Sequence, residues 1–224
     1  MRYLALGLFA EGTSDQQFLQ RIIFRAVHQK AVEIHKGAVE VQDAFVSGQE
    51  FKSEHRNRAE RVFEAFGQFL NQGAIDLLFI HADGDNDPTR ALAERIAPCI
   101  TRIKKEQFAR AFAIVPVIPV RMTEAWALAD ATALQSVLGT TRSPSDLGLS
   151  DHILRSLETL AEPKALLKEV MQRSGAQKGR RRECSIPRGL ADRIDLANLR
   201  KLSSYSRFEE NIEHAVRKAW LLPG

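Results

Sequence analysis

Cysteine is scarce in this sequence, and long apolar runs are absent. Among the 224 residues are only two cysteines, Cys99 and Cys184, which lie far apart and form no Cys-x-x-Cys pair. This usage argues against a cysteine-based metal site and is typical of a protein in a reducing compartment. No apolar run approaches the roughly 20 residues that a membrane-spanning helix requires. We therefore expect a cytoplasmic protein that does not contact a membrane.

Motifs of ATPases and of serine hydrolases are missing too. The segment "SGAQKGRR" lacks the glycine and lysine spacing of a P-loop, and no Gly-x-Ser-x-Gly sequence is present. The histidines show no ligand spacing. His81 alone lies near the acidic residues described below, where it either packs in the core or orients a neighbouring side chain.

Positive charge is unevenly distributed. The net charge is +4, and basic residues concentrate in the segment "QKGRRRECSIPR". Such a cluster suits a polyanionic partner, although a solvated loop is the alternative interpretation. The candidate nucleic-acid contacts are Lys178, Arg180, Arg181, Arg182 and Arg188.

Apolar periodicity predicts alternating strands and helices in the first part of the chain. Four strands are expected near residues 3–9, 39–46, 75–82 and 111–120, with amphipathic helices after each. This alternation favours an α/β fold with a mainly parallel four-stranded sheet flanked by helices. Beyond Gly139 only helical patterns appear. We therefore divide the chain into an α/β core, residues 1–138, and a helical C-terminal region, residues 139–224.

Acidic residues follow the predicted strands. Glu11 follows the first strand, Asp83 and Asp85 follow the third, and Glu124 lies just past the fourth. The carboxyl ends of parallel strands share one edge of a sheet, where ligands bind. Oxygen ligands favour Mg²⁺ or Mn²⁺ over zinc. These four residues are therefore the predicted metal ligands.

The stretch "DGDNDP" has other interpretations. An EF-hand loop requires glycine where Pro88 stands. A haloacid-dehalogenase-like phosphatase and a nucleotide-sugar glycosyltransferase each carry Asp-x-Asp after a strand, but the first of these leaves Glu11 without a role. The aspartates can also simply cap the next helix, which is the role we expect for Asp87 before Pro88.

The combination of "LFAEGTSDQQFL" and "LLFIHADGDND" resembles the TOPRIM domain of topoisomerases, primases and overcoming-lysogenization-defect nucleases. That domain has a glutamate after its first strand and Asp-x-Asp after its third, and the resemblance covers roughly residues 1 to 120. The segments "VRMTEAWALAD" and "EPKALL" are similar to an uncharacterised family of small bacterial TOPRIM-like proteins, some encoded beside ATPases.

The resemblance implies a Mg²⁺- or Mn²⁺-dependent nuclease, an effector paired with a separate ATPase in phage defence. Glu11 would be a catalytic or metal-linked carboxylate, and Asp83 and Asp85 would be metal ligands. Lys164 and Arg121 are the candidates for contacting a substrate phosphate. The alternatives are a non-catalytic TOPRIM-like interaction subunit and a metal-dependent phosphatase or transferase that acts on a small substrate.

Overall fold

The computed structural model describes residues 1–48, 57–106, 112–175 and 180–221, with side chains for all of these except residues 180–185. Its strands are β1 (Arg2–Leu4), β2 (Leu6–Phe9), β3 (Val39–Val41), β4 (Phe45–Ser47), β5 (Leu77–His81) and β6 (Ala113–Val117). Its α-helices are α1 (Thr13–His35), α2 (Arg58–Gln72), α3 (Pro88–Ala91), α4 (Ala97–Lys104), α5 (Thr123–Ala127), α6 (Ala131–Leu138), α7 (Asp151–Arg155), α8 (Pro163–Arg173), α9 (Arg180–Arg193), α10 (Leu196–Leu199) and α11 (Ser203–Ala219).

The main sheet is parallel and has the strand order β4-β2-β5-β6, which confirms the predicted α/β fold. The strands predicted near residues 3–9 and 39–46 are each interrupted, and their first parts, β1 and β3, form a separate parallel pair. Between β1 and β2 the Asp76 side chain accepts the Ala5 N–H at 2.8 Å. A carboxylate thus takes the place of a backbone acceptor at that point in the ladder.

Helices cover both faces of the sheet. One face packs against α1 and α11, with α9 packed on α1, and the other packs against α2, with α4 packed on α2. Every residue of β2 and β5 is therefore buried. This burial explains the continuous apolar runs of the two central strands, because a strand covered on both faces has no polar side.

The C-terminal region is helical, as expected, but it shares its core with the α/β layer. Leu147, Ile212 and Val216 belong to the same hydrophobic cluster as Leu4 and Phe79. Helix α6 ends at Gly139 in a left-handed conformation, with φ of 64°. The predicted boundary after residue 138 is therefore the end of a helix within a continuous core.

Helices α3 and α4 are joined by a π-helical turn, Leu92–Ile96, in which the Ala97 N–H donates to the Leu92 carbonyl. Pro98 lies in the first turn of α4 and cannot donate a hydrogen bond, which favours such an irregularity. None of the described helices is long and apolar enough to cross a membrane.

Candidate functional site

The predicted acidic residues lie where the strand order reverses. The chain passes from β2 to β4 on one side and then returns to β5 on the other side of β2. Glu11 follows β2 and Asp83 follows β5, so both stand at the carboxyl ends of neighbouring strands. This is the position at which open α/β sheets bind ligands.

Two arginines from the start of α2 hold Glu11. The Glu11 Oε1 atom lies 2.7 Å from Arg58 Nη1 and 2.9 Å from Arg61 Nη2. Arg58 also donates from Nη2 to the backbone carbonyl of His81, and its guanidinium lies over the Phe9 ring. Helix α2 is thereby attached to the ends of β2 and β5 together.

The loop between Asp83 and Asp85 requires glycine at its centre. The Gly84 N–H donates to the Pro119 carbonyl at 2.9 Å, and a Cβ at this position would lie 2.6 Å from the same oxygen. Asp85 and Arg121 then pair as an isolated antiparallel bridge, with N···O distances of 3.1 and 2.7 Å. Close backbone approach therefore explains the middle residue of the Asp-x-Asp motif.

The side chains of Asp85 and Asp87 have separate roles. Asp85 Oδ2 lies 2.6 Å from Arg95 Nη2, and Arg95 also donates to the Asp83 carbonyl. Asp87 caps α3, since its Oδ1 accepts the Arg90 N–H at 2.9 Å. The capping role expected for Asp87 is confirmed.

Asp83 and Glu124 belong to a second set of contacts. Asp83 Oδ1 lies 3.5 Å from His81 Nε2, which in turn lies 3.3 Å from the Thr123 hydroxyl. Burial raises the pKa of Glu124, and the charges of Asp15 and Asp83 act in the same direction. Lys164 acts in the opposite direction. The electrostatic environment of Glu124 thus links α1, α5, α8 and the end of β5.

A small cavity of about 60 Å³ adjoins Glu124. Its lining includes Ser14, Asp15, Leu167 and Ile186, which come from α1, α8 and α9. Glu124 therefore faces a confined space between helices.

The four carboxylates fall into two groups in this conformation. Glu11 and Asp85 pair with arginines of α2 and the π-helical turn, whereas Asp83 and Glu124 face His81 and Lys164. Within the described residues, no three histidine, cysteine, aspartate or glutamate side chains are close enough together to hold a metal ion. The oxygen donors fit a hard divalent cation in their chemistry. The arginines hold positions beside them that such a cation would compete for.

Arg121 and Lys164 carry charges that have no ion-pair partner within the described part of the chain. The Arg121 backbone is left-handed, with φ of 64°, and its side chain is half-buried. Lys164 is exposed near the start of α8. Both candidates for phosphate contact are therefore available at the rim of the site.

The basic segment leads into α9. Arg188 is exposed on this helix, while Lys178 and the side chains of Arg180, Arg181 and Arg182 lie outside the described residues. Helix α9 begins at Arg180, and its residue Ile186 lines the cavity beside Glu124. At about 1.5 Å of rise per residue, the backbone of the arginine run lies about 6–9 Å along the helix axis from Ile186.

A larger cleft of about 820 Å³ opens along the β6 edge of the sheet. Its lining includes Pro88 and Val120, the chain neighbours of Asp87 and Arg121, together with Arg207, His214 and Arg217 from α11. Glu11, Asp83 and Glu124 are not among the lining residues. The cleft thus adjoins the acidic edge without containing its carboxylates.

The structure adds Arg58, Arg61 and Asp15 to the residues considered from sequence. The two arginines are spaced at i and i+3 at the start of a helix, which places them on one face, but no motif indicates that this face meets Glu11. Asp15 bends back over Gly12, where a Cβ would lie 2.2 Å from its Oδ2 atom. The glycine after Glu11 makes room for this carboxylate.

Comparison with known proteins yields one family. Searches among curated proteins and among solved structures found no match. The family described as "Domain of unknown function (DUF4276)" matches residues 10–213, which include every acidic residue discussed above and helices α1 to α10. The chain therefore belongs to the DUF4276 family.

Proposed function

We propose that this protein is a TOPRIM-like, Mg²⁺- or Mn²⁺-dependent nuclease that hydrolyses phosphodiester bonds in the cytoplasm. The observation that carries the proposal is the position of Glu11 and Asp83 at the ends of β2 and β5, where the strand order reverses. Effector action beside a separately encoded ATPase in phage defence is part of the same proposal and rests on the sequence resemblance.

The proposed roles follow from the contacts of each side chain. Glu11, Asp83, Asp85 and Glu124 would hold the divalent cation, which when bound supplies Lewis-acid polarisation of a phosphoryl oxygen. Arg121 and Lys164 would contact the phosphate, because neither forms an ion pair among the described residues, although the charge of Lys164 acts on Glu124. His81 orients Asp83 through its buried ring.

Nucleic acid is the proposed substrate because basic residues lie near the acidic edge. Arg188 is exposed on α9, and the backbone of the arginine run lies on the same helix, which lines the cavity beside Glu124. Lysine and arginine along a helix supply the sequence-independent attraction to a phosphate backbone. Binding should therefore weaken steeply as salt increases.

Cleavage of plasmid, single-stranded DNA and RNA in Mn²⁺ or Mg²⁺ tests the proposal. We expect Glu11→Gln and Asp83→Asn to lower the rate by about a hundredfold or more, the order found when a group that stabilises developing charge is removed. Asp87→Asn is the matched control within the same motif, because asparagine retains the helix cap. Equal rates in all four proteins would exclude the proposed site.

A non-catalytic interaction subunit is the second candidate function, and the arginine contacts of Glu11 and Asp85 favour it. Guanidinium groups already neutralise these carboxylates, so the edge is stable without a cation. Calorimetric titration with Mn²⁺ separates the two functions. Absence of Mn²⁺ binding in the wild type, together with absence of cleavage, would favour the interaction subunit.

A further inference from the structure

The start of α2 carries more positive charge than its contacts require. Arg58 and Arg61 both approach the same Glu11 oxygen, at 2.7 and 2.9 Å. In the described residues, Glu11 is the only carboxylate that pairs with either of them. A purely structural ion pair balances one charge with one, whereas here two guanidinium groups share a single carboxylate.

These arginines also have hydrogen-bond donors left over. The Nε atoms of Arg58 and Arg61 are both buried and have no partner among the described residues. Burying a charged donor without an acceptor is costly, so such a group in a native structure calls for an explanation, of which a bound ligand is one. The side chains keep 21% and 17% of their surface exposed, so both are in contact with solvent.

The position of the arginines is determined by their surroundings. Arg58 donates to the His81 carbonyl at the end of β5 and lies over the Phe9 ring at the end of β2. Asn57 caps α2, and its side chain accepts the Glu60 N–H at 3.0 Å. The N-terminus of this 15-residue helix, which carries the positive end of the helix dipole, therefore lies with both guanidinium groups at the carboxyl ends of β2 and β5.

We propose, on the basis of the function proposed above, that Arg58 and Arg61 bind a phosphate group of the nucleic acid and that Glu11 controls their release. In this conformation Glu11 holds both guanidinium groups. Glu11 would release both guanidinium groups when it binds a divalent cation, which would replace their charge. The guanidinium fork then matches the oxygens of a phosphodiester, which it can bind through paired hydrogen bonds.

Mn²⁺ binding without nucleic acid tests the first half of this exchange. Electron paramagnetic resonance of free Mn²⁺ would be measured with the wild type, Arg58→Gln/Arg61→Gln and Arg102→Gln. We expect the double variant to bind Mn²⁺ about tenfold more tightly, because charge-assisted hydrogen bonds no longer compete for Glu11. Arg102 is the matched control, since it pairs with Glu60 and Glu106 and contacts none of the predicted ligands.

Oligonucleotide binding in EDTA tests the second half. Fluorescence anisotropy would use labelled single-stranded DNA and RNA of the same sequence. We expect Glu11→Gln to bind either oligonucleotide several-fold more tightly than the wild type, because it frees the arginines. Adding Arg58→Gln and Arg61→Gln should remove this gain and flatten the slope of log K against log salt by about 0.7, the value for one phosphate contact on a single strand.

A structural role alone would not make the gain in oligonucleotide binding of Glu11→Gln depend on Arg58 and Arg61. The inference is wrong if Mn²⁺ affinity in the double variant and oligonucleotide affinity in Glu11→Gln both equal those of the wild type, even where the wild type cleaves nucleic acid. Absence of cation-dependent cleavage would instead count against the proposed nuclease. If the double variant does not fold, Arg61→Gln retains the contact between Arg58 and His81 and should show the same directions of change.

Discussion

Asp85 and Arg121 both have left-handed backbone conformations, with φ of 46° and 64°. Aspartate tolerates this region, but for an arginine it is uncommon and costs on the order of 1–3 kcal/mol. The two residues form the isolated bridge between the Asp-x-Asp loop and the segment after β6. Strain at this point is consistent with a functional loop, because surrounding structure must hold it in place.

Gly84 is the residue on which the geometry of this loop depends. We expect Gly84→Ala to destabilise the protein by about 2–3 kcal/mol, because its Cβ would overlap the rigid Pro119 carbonyl. Urea unfolding would measure the change.

The matched control is Gly67→Ala in α2, where no atom lies within 4 Å of the added Cβ. It should stabilise the protein by about 0.5–1 kcal/mol, since alanine is the better helix former. Equal effects at the two glycines would show that the loop does not approach Pro119 closely.

At the scale of elements, the helix after the Asp-x-Asp loop departs from its predicted pattern. The spacing of Leu92, Ile96, Ile100 and Ile103 predicts a single buried face. Ile96 and Ile103 are fully buried, but Leu92 is 40% exposed. The prediction is wrong for Leu92 because the π-helical turn at Leu92–Ile96 changes the angle about the helix axis between Leu92 and the buried residues of α4.

Asp130 joins two helices. Its Oδ1 accepts the Ala133 N–H at 3.0 Å and caps α6, while its Oδ2 accepts the Asp195 N–H at 2.9 Å before α10. Burial alone would raise the pKa of Asp130, but the hydrogen bonds from Asp195 and Ala133 outweigh it and lower the pKa. The carboxylate form therefore stabilises the folded state.

We expect Asp130→Asn to lower the free energy of unfolding by about 1–2 kcal/mol at pH 7, since the amide nitrogen cannot accept the second hydrogen bond. The folded pKa lies below the unfolded value of about 3.9, so the wild type loses this contribution as the pH falls through that range. Denaturation at several pH values should show the difference narrowing below about pH 4. A difference independent of pH would contradict the assignment.

At the scale of the whole molecule, the C-terminal helices complete the core. Helix α11 packs on β5 and β6, and α9 packs on α1. Phe208 and Trp126 lie 5.5 Å apart between ring centroids, and Trp126 donates to the Ser204 hydroxyl at 2.8 Å. Aromatic contacts therefore connect the two predicted parts across the boundary after residue 138.

A fragment of residues 1–138 should not fold cooperatively. Without α9 and α11, apolar side chains of α1, β5 and β6 that are now buried would face water. Thermal unfolding followed by near-ultraviolet circular dichroism would compare the fragment with the full chain. A sharp transition in the fragment, with the aromatic signal of Trp126 retained, would show instead that residues 1–138 form an independent domain.

The sequence by itself determined the features that depend on local pattern. Apolar periodicity predicted the order of strands and helices, and Asp87 before Pro88 predicted a helix cap, because these signals arise between residues a few positions apart. The positions of Glu11 and Asp83 at strand ends follow from the same reasoning.

Only the tertiary structure decided what surrounds these carboxylates. Glu11 meets Arg58 across 47 positions of sequence, and the Thr123 hydroxyl lies beside His81 across 42. No local spacing encodes such contacts, since they arise where helices from both faces reach the end of the sheet. Packing therefore placed two arginines of α2 beside Glu11 and the Thr123 hydroxyl beside His81, where periodicity alone predicted a single acidic cluster.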